Sequence, residues 1–225
     1  TLIIVGVFAL LTIGYFFVRR QLRQQFPLLP VDLMRIPIFS MSIGTSICSF
    51  TGQMLAMLSL PFFLQETLER SDVITGLLLT PWPIATMIIA PLAGRLVERI
   101  HAGILGGIGM TIFATGLFLL AILPSNPTNM DIIWRLFICG SGFGLFQTPN
   151  NSTIISSAPS NRSGGASGML GTARLLGQTL GATQVAMIFY LVPINSSQTC
   201  LYLATGFAAV AAIVSCLRIS QPHPL

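Results

Sequence analysis

The chain has no lysine and only six acidic residues among 225, and charged side chains make up 8% of it against 53% hydrophobic. A soluble domain carries about a quarter charged residues to cover its surface, so water is excluded as the main solvent. Neither His101 nor His223 has a second His, a Cys or an Asp at metal-ligand spacing. The four cysteines, Cys48, Cys139, Cys200 and Cys216, lie in or beside apolar runs without CxxC spacing and read as packing residues. No metal or other cofactor is therefore expected. Thr1 to Val18 lacks a basic n-region and a small-residue cleavage site, so no cleavable leader is expected, and the first residues read as the inside of a span. The GxSG pattern at Ser167 would need a base within hydrogen-bond reach, and no His falls in any predicted span. No catalytic residue is expected.

What the chain does have is a series of apolar runs of about 20 residues, the length that crosses roughly 30 Å of hydrocarbon. These predict seven helices, over 1–18, 36–64, 73–94, 102–123, 132–157, 163–192 and 199–217, separated by clusters of Pro, Asn, Ser and charge. The net charge of +5 suggests nucleic acid, but its placement excludes that partner. Arg19, Arg20, Arg23, Arg35, Arg95, Arg99, Arg162 and Arg218 all fall on one set of loops, and only Arg70 on the alternate set. The rich set is cytoplasmic by the positive-inside rule, which puts Gln65–Asp72 and Pro193–Gln198 outside. The expected organisation is a first helix over 1–18, a cytoplasmic basic linker over 19–35, a six-helix bundle over 36–217 and a cytoplasmic tail over 218–225. The six divide into two sets of three in opposite orientation, as in inverted-repeat transporters, without a visible residue-level repeat.

Two stretches carry a sharper signal. Pro91-Leu-Ala-Gly94-Arg95-Leu-Val-Glu98-Arg99 resembles the cytoplasmic loop motif of the major facilitator superfamily, in which Gly allows a tight turn and an acid and a base latch two helices. His101 and Ala102 depart from that motif, where the family has Gly and a base. The second stretch runs from Pro149-Asn150-Asn151 through Pro159, Arg162, Gly164-Gly-Ala-Ser-Gly168 and Ala173-Arg174-Leu-Leu-Gly177-Gln-Thr-Leu-Gly181. It is similar to the fourteen-span drug:proton antiporters of the EmrB/QacA and methyl-viologen-resistance type. That resemblance implies an all-α integral membrane fold in the bacterial inner membrane. It makes the first helix a linker span and the other six the C-terminal bundle, built of two inverted three-helix repeats.

Polar groups form stripes at helical spacing: Ser42, Thr45, Ser49 and Gln53; Gly140, Phe143, Gln147 and Asn150 or Asn151; Ser167, Gly171, Arg174, Gln178 and Gly181. Such a stripe either packs helix to helix or lines a watery cavity. With Gln53, Gln147 and Gln178 all near mid-depth, a substrate cavity is expected, its apolar wall supplied by Phe50, Met57, Phe143 and Phe146. Gly94, Glu98, Arg99 and Arg174 are expected to serve the cytoplasmic motif and gating. Arg174, about 16 Å along its helix, either snorkels to the cytoplasm or pairs with an acid from elsewhere in the protein. Arg135 reads as an interfacial anchor, four residues after Asp131 and so within reach of a local ion pair. Gly103 with Gly107, Gly140 with Gly144, Gly164 with Gly168 and Gly177 with Gly181 read as packing pairs. No Asp or Glu sits at mid-depth, so the resemblance places the proton-coupling carboxylates, and those attracting cationic drugs, in a preceding N-terminal half. The implied function is one half of a proton-driven exporter of amphipathic, often cationic small molecules. The alternatives are a facilitator for a small metabolite and a non-transporting membrane scaffold or receptor.

Overall fold

A computed structural model describes residues 30–218 except residue 125, together with Thr12, Phe16 and Arg19. The expected helix over 1–18, most of the linker before residue 30 and the tail beyond Arg218 therefore lie outside the described residues. Within them every regular element is helical. A 3-10 turn, Val31–Arg35, leads into α1 (Pro37–Phe62), which unwinds through a π turn at Phe63–Thr67. α2 (Asp72–Leu79) and α3 (Pro81–Leu96) follow, then α4 (Ala102–Ala121), α5 (Asn129–Ser156), α6 (Ser163–Leu191) and α7 (Ser196–Leu217).

Local chemistry sets the boundaries. Ser71 Oγ accepts from Ile74 N to cap α2, and Glu69 takes a left-handed φ of 51° to turn the chain before it. Pro81 and Pro83 have no backbone N–H, which divides one predicted helix into α2 and α3 at Thr80. His101 Nδ1 accepts from Gly103 N at 3.0 Å, so this residue caps α4 where the loop motif has glycine. Thr128 and Asp131 form a reciprocal capping box, which starts α5 at Asn129, three residues before its predicted start.

Four stretches, Pro37–Thr67, Asp72–Leu96, Ala102–Ala121 and Ser196–Leu217, are long and apolar enough to cross a membrane. α5 and α6 are longer than most, at 28 and 29 residues, but Gly, Ser, Thr, Asn and Gln dilute their apolar content below that standard. Such helices are tolerated in a bilayer when their polar face is turned to protein or to a watery groove.

The packing is symmetric. α3 packs on α5 as α6 packs on α1, α5 packs on α4 as α1 packs on α7, and α4 meets α7 while α1 meets α5. Exchanging the triplet α1, α2–α3, α4 with α5, α6, α7 leaves this pattern unchanged, which makes the six spans two inverted repeats. Glycines bring the backbones together in both related pairs, from α5 in one and from α6 in the other. A Cβ on Gly140 of α5 would overlap the Trp82 carbonyl of α3, and one on Gly177 of α6 would lie 2.6 Å from the Ile47 carbonyl of α1. By contrast, Gly164 and Gly168 face open space, so their spacing makes no helix contact among the described residues.

Loops gather at two ends. Asp32, the Val97–His101 turn, Ser156 and Arg218 share one end with Arg162. Glu66, Thr67 and Pro193–Gln198 meet at the other, where Arg70 Nη2 also donates to the Pro127 carbonyl at 3.2 Å. The arginine-rich loops thus occupy one end and the arginine-poor loops the other.

Candidate functional site

The concave side of the bundle, between α1, α3, α5 and α6, forms an open groove of about 330 Å³. Phe50, Gln53 and Met57 line it from α1, Trp82, Pro83, Thr86 and Met87 from α3, Phe143 and Gln147 from α5, and Arg174 from α6. These helices contribute because they are the first two spans of each repeat, and the third spans, α4 and α7, back them. Aromatic rings make the floor. Phe143 stands edge-on to Phe50 with centroids 5.6 Å apart and to Phe113 at 5.5 Å, and Trp82 meets Phe113 at 5.5 Å. Phe143, Phe113 and Trp82 are almost wholly buried, so the floor is fixed by core packing.

The polar lining is uncommitted. Gln53 and Gln147 are half-buried, and neither side chain makes a hydrogen bond among the described residues. Arg174 is exposed, with its guanidinium carbon 5.4 Å from the Phe50 ring centroid. Trp82 Nε1 is buried without an acceptor among the described residues. Thr86, in contrast, is occupied, its hydroxyl lying 3.1 Å from the Trp82 carbonyl and 3.0 Å from that of Gly140.

The sequence-predicted cavity set is largely gathered in one place: Phe50, Gln53, Met57, Phe143 and Gln147 all line the groove. Gln178 is not among its lining residues, and Phe146 is 1% exposed in the core, on the side of α5 turned to α4. The α1 stripe divides along its length. Ser42, Thr45 and Ser49 are fully buried, and their hydroxyls donate to the carbonyls of Ile38, Met41 and Ser46, so this part packs and only Gln53 reaches the groove. Arg174, grouped by sequence with the cytoplasmic motif, sits in the groove apart from Glu98 and Arg99. Those two occupy an exposed turn beside Ser152 and Ser156, and Glu98 forms no ion pair among the described residues. Gly94 lies against the Thr148 methyl, whose hydroxyl reaches the Ala90 carbonyl at 3.4 Å. The Asp131–Arg135 pair does not form: Asp131 turns back to Thr128, and Arg135 lies over the Trp134 ring at 4.8 Å.

A second polar cluster was missed in the sequence. Arg218, counted there as tail, is 1% exposed and reaches into the arginine-rich end of the bundle. Its Nη1 donates to Ser42 Oγ at 2.7 Å and Asn150 Oδ1 at 2.6 Å, and its Nη2 to Ser215 Oγ at 2.6 Å. Asn150 Nδ2 continues to Ser46 Oγ at 2.8 Å, and Ser215 Oγ to the Gly103 carbonyl at 3.2 Å. One cation so ties α1, α4, α5 and α7 through neutral partners, with no carboxylate bonded to it among the described residues. An Arg one residue past an apolar run reads as a solvated flank; only the position of Ser42 and Asn150 on their stripes hinted at a partner.

Outside the spans, Arg162 grips Asp32 in a two-pronged ion pair, Nη1 to Oδ2 and Nη2 to Oδ1 at 3.0 Å. The guanidinium bond holds the Asp32 carboxyl below its ordinary range. It fastens the segment before α1 to the loop before α6.

The sequence profile of the Major Facilitator Superfamily matches residues 1–182. The chain is 60% identical over 223 residues to the uncharacterized transporter YebQ of Escherichia coli, covering 99% of this chain and 49% of that one. It is 30% identical over 176 residues to the multidrug efflux pump LfrA of Mycolicibacterium smegmatis, covering 78% of this chain and 35% of that protein. Similarity to the riboflavin transporter RibZ of Clostridioides difficile is 28% over 159 residues, or 68% of this chain and 35% of that one. The chain thus spans about half the length of YebQ and about a third of the others. Six spans among the described residues, in two inverted triplets around a groove, and a profile match over most of the sequence, make this chain an integral membrane member of the major facilitator superfamily.

Proposed function

We propose that this chain forms the C-terminal half of a proton-driven multidrug exporter of the fourteen-span type, resident in the bacterial inner membrane. The observation that carries this reading is the groove, where an aromatic and thioether wall surrounds two amides that bond to nothing in the described structure. Apolar, adaptable walls with a few free polar groups suit ligands of varied shape. LfrA, similar over 78% of the chain, supports efflux as the direction of transport. The substrates are amphipathic small molecules. The resemblance to drug:proton antiporters makes cations the expected class, with the carboxylates that attract them and carry the proton supplied by the rest of the protein.

The test is export by the full-length protein in proteoliposomes, with substrate-induced proton release measured in parallel. Gln147→Ala removes one donor and one acceptor but no titratable group. It should change the relative rates for different compounds by roughly 5- to 150-fold while leaving coupling intact, the range expected for loss of one specific hydrogen-bonding contact. An unchanged profile for every compound would remove the groove from the substrate path.

A further inference from the structure

Among the described residues the one charged group of the groove is a cation, and each of its uncommitted polar neighbours can donate a hydrogen bond. Arg174 brings five N–H donors and a permanent positive charge, and among the described residues it lies by the Phe50 ring without a hydrogen bond or ion pair. Trp82 adds a buried indole N–H without an acceptor, and Gln53 and Gln147 add amide donors. Against these the described residues that line the groove include no Asp or Glu. The acidic residues of the described chain are elsewhere. Asp32 is bound to Arg162, Asp131 to Thr128, Glu98 lies on the loop at the arginine-rich end, and Glu66, Glu69 and Asp72 lie around the opposite loop.

A guanidinium beside an aromatic floor suits one ligand chemistry. An anionic group on the ligand takes the Arg174 donors through charge-assisted bonds, about twice as strong as neutral ones. An attached aromatic ring then lies against Pro83 and Met87, the exposed apolar part of the lining above the buried Phe50 and Phe143 rings. A cation at the same place meets like charge. We propose that the groove of this half is a subsite for the anionic group of an aromatic acid or zwitterion, held by Arg174. This deepens the exporter reading and rests on it: the two halves share a ligand by charge, this one taking the acidic end.

The experiment uses the full-length protein and three matched probes, naphthalene-2-sulfonate, naphthalene-2-sulfonamide and 2-naphthyltrimethylammonium. Equilibrium binding is measured in detergent for wild type, Arg174→Gln and Arg174→Lys, and gradient-driven flux in proteoliposomes. Wild type is expected to bind the sulfonate roughly 10- to 100-fold more tightly than the sulfonamide, as a charged hydrogen bond would give. Arg174→Gln should erase that preference, keep sulfonamide affinity within about twofold, and leave cation binding unchanged or tighter. Arg174→Lys should retain part of the preference, since a point charge replaces a planar fork. The sulfonamide reports that the variants are folded. Equal binding of sulfonate and sulfonamide by wild type, or a sulfonate preference that survives Arg174→Gln, overturns the proposal. So does weaker cation binding in that variant, because loss of a positive group from an anion subsite can only ease the approach of a cation. If Arg174-dependent sulfonate binding is found but no probe moves with the gradient, the subsite stands and the exporter reading falls.

Discussion

At the scale of the residue, Arg218 shows how a buried charge is kept without a counter-charge. Its guanidinium is satisfied at two nitrogens by Ser42, Asn150 and Ser215, and its Nε has no acceptor among the described residues. Replacing it with Met removes the desolvated cation and leaves one orphan, Asn150 Oδ1, because Ser42 and Ser215 still donate to the Ile38 and Gly103 carbonyls. The expected loss is about 1–3 kcal/mol. Asn150→Leu does the opposite, leaving the cation only Ser42 and Ser215, and should cost about 2–3 kcal/mol, while the double variant should recover part of the loss. Thermal unfolding of the full-length protein in detergent measures all three; a double variant no better than Asn150→Leu would contradict the account. The Asp32–Arg162 pair has a pH signature. A carboxyl held low when folded contributes stability above its unfolded pKa and loses it as pH falls through the folded one. The stability difference between wild type and Asp32→Asn should hold constant from about pH 5 to 9 and shrink as pH falls below about 4, followed by unfolding at stepped pH. Neither interaction was legible in the chain as written. Arg218 and Asn150 are 68 positions apart and Arg162 and Asp32 are 130 apart, so only the folded bundle names the partners.

At the scale of the element, the sequence was read most accurately where local chemistry decides. The Pro, Asn, Ser and charge clusters between apolar runs placed the breaks, whereas the division at Thr80 falls inside one predicted helix, where the donors missing at Pro81 and Pro83 act within a turn. The start of α5 moved because a capping box draws three more residues into the helix. The stripes were legible as stripes but not as faces, since three- and four-residue spacing marks a side of a helix without saying what lies opposite. Ser42 and Gln53 share a stripe, yet one is sealed in the core and the other opens on the groove. Helix contacts set the glycine demands. Gly140→Ala would drive a methyl into the Trp82 carbonyl and to 2.9 Å from the Ala85 Cβ, and should separate α3 from α5 at a cost of about 1–3 kcal/mol. Gly76→Ala on α2 meets nothing within 4 Å and should stabilise by roughly 0.5–1 kcal/mol. Unfolding midpoints for the pair check both signs; equal effects would mean that backbone approach is not what Gly140 provides.

At the scale of the whole molecule, the two inverted triplets put the groove on the side that α4 and α7 do not cover. The arginine asymmetry between the ends predicts that the Val97–His101 and Pro159–Arg162 end is cytoplasmic. Cysteines at Glu66 and Ile194, both exposed at the other end, should react with an impermeant thiol reagent added outside intact cells, in a background lacking the native cysteines. Labelling only after lysis would invert the orientation. Arg218 carries a further consequence for biosynthesis. It stands downstream of every group it binds, so Ser42, Ser46 and Asn150 leave the ribosome well before their cation exists. Until residue 218 emerges, a nascent bundle must keep the Asn150 carbonyl wet or shielded by the insertion machinery. A ribosome stalled upstream would then leave an unlatched helix set marked, by one thirsty amide, for membrane quality control.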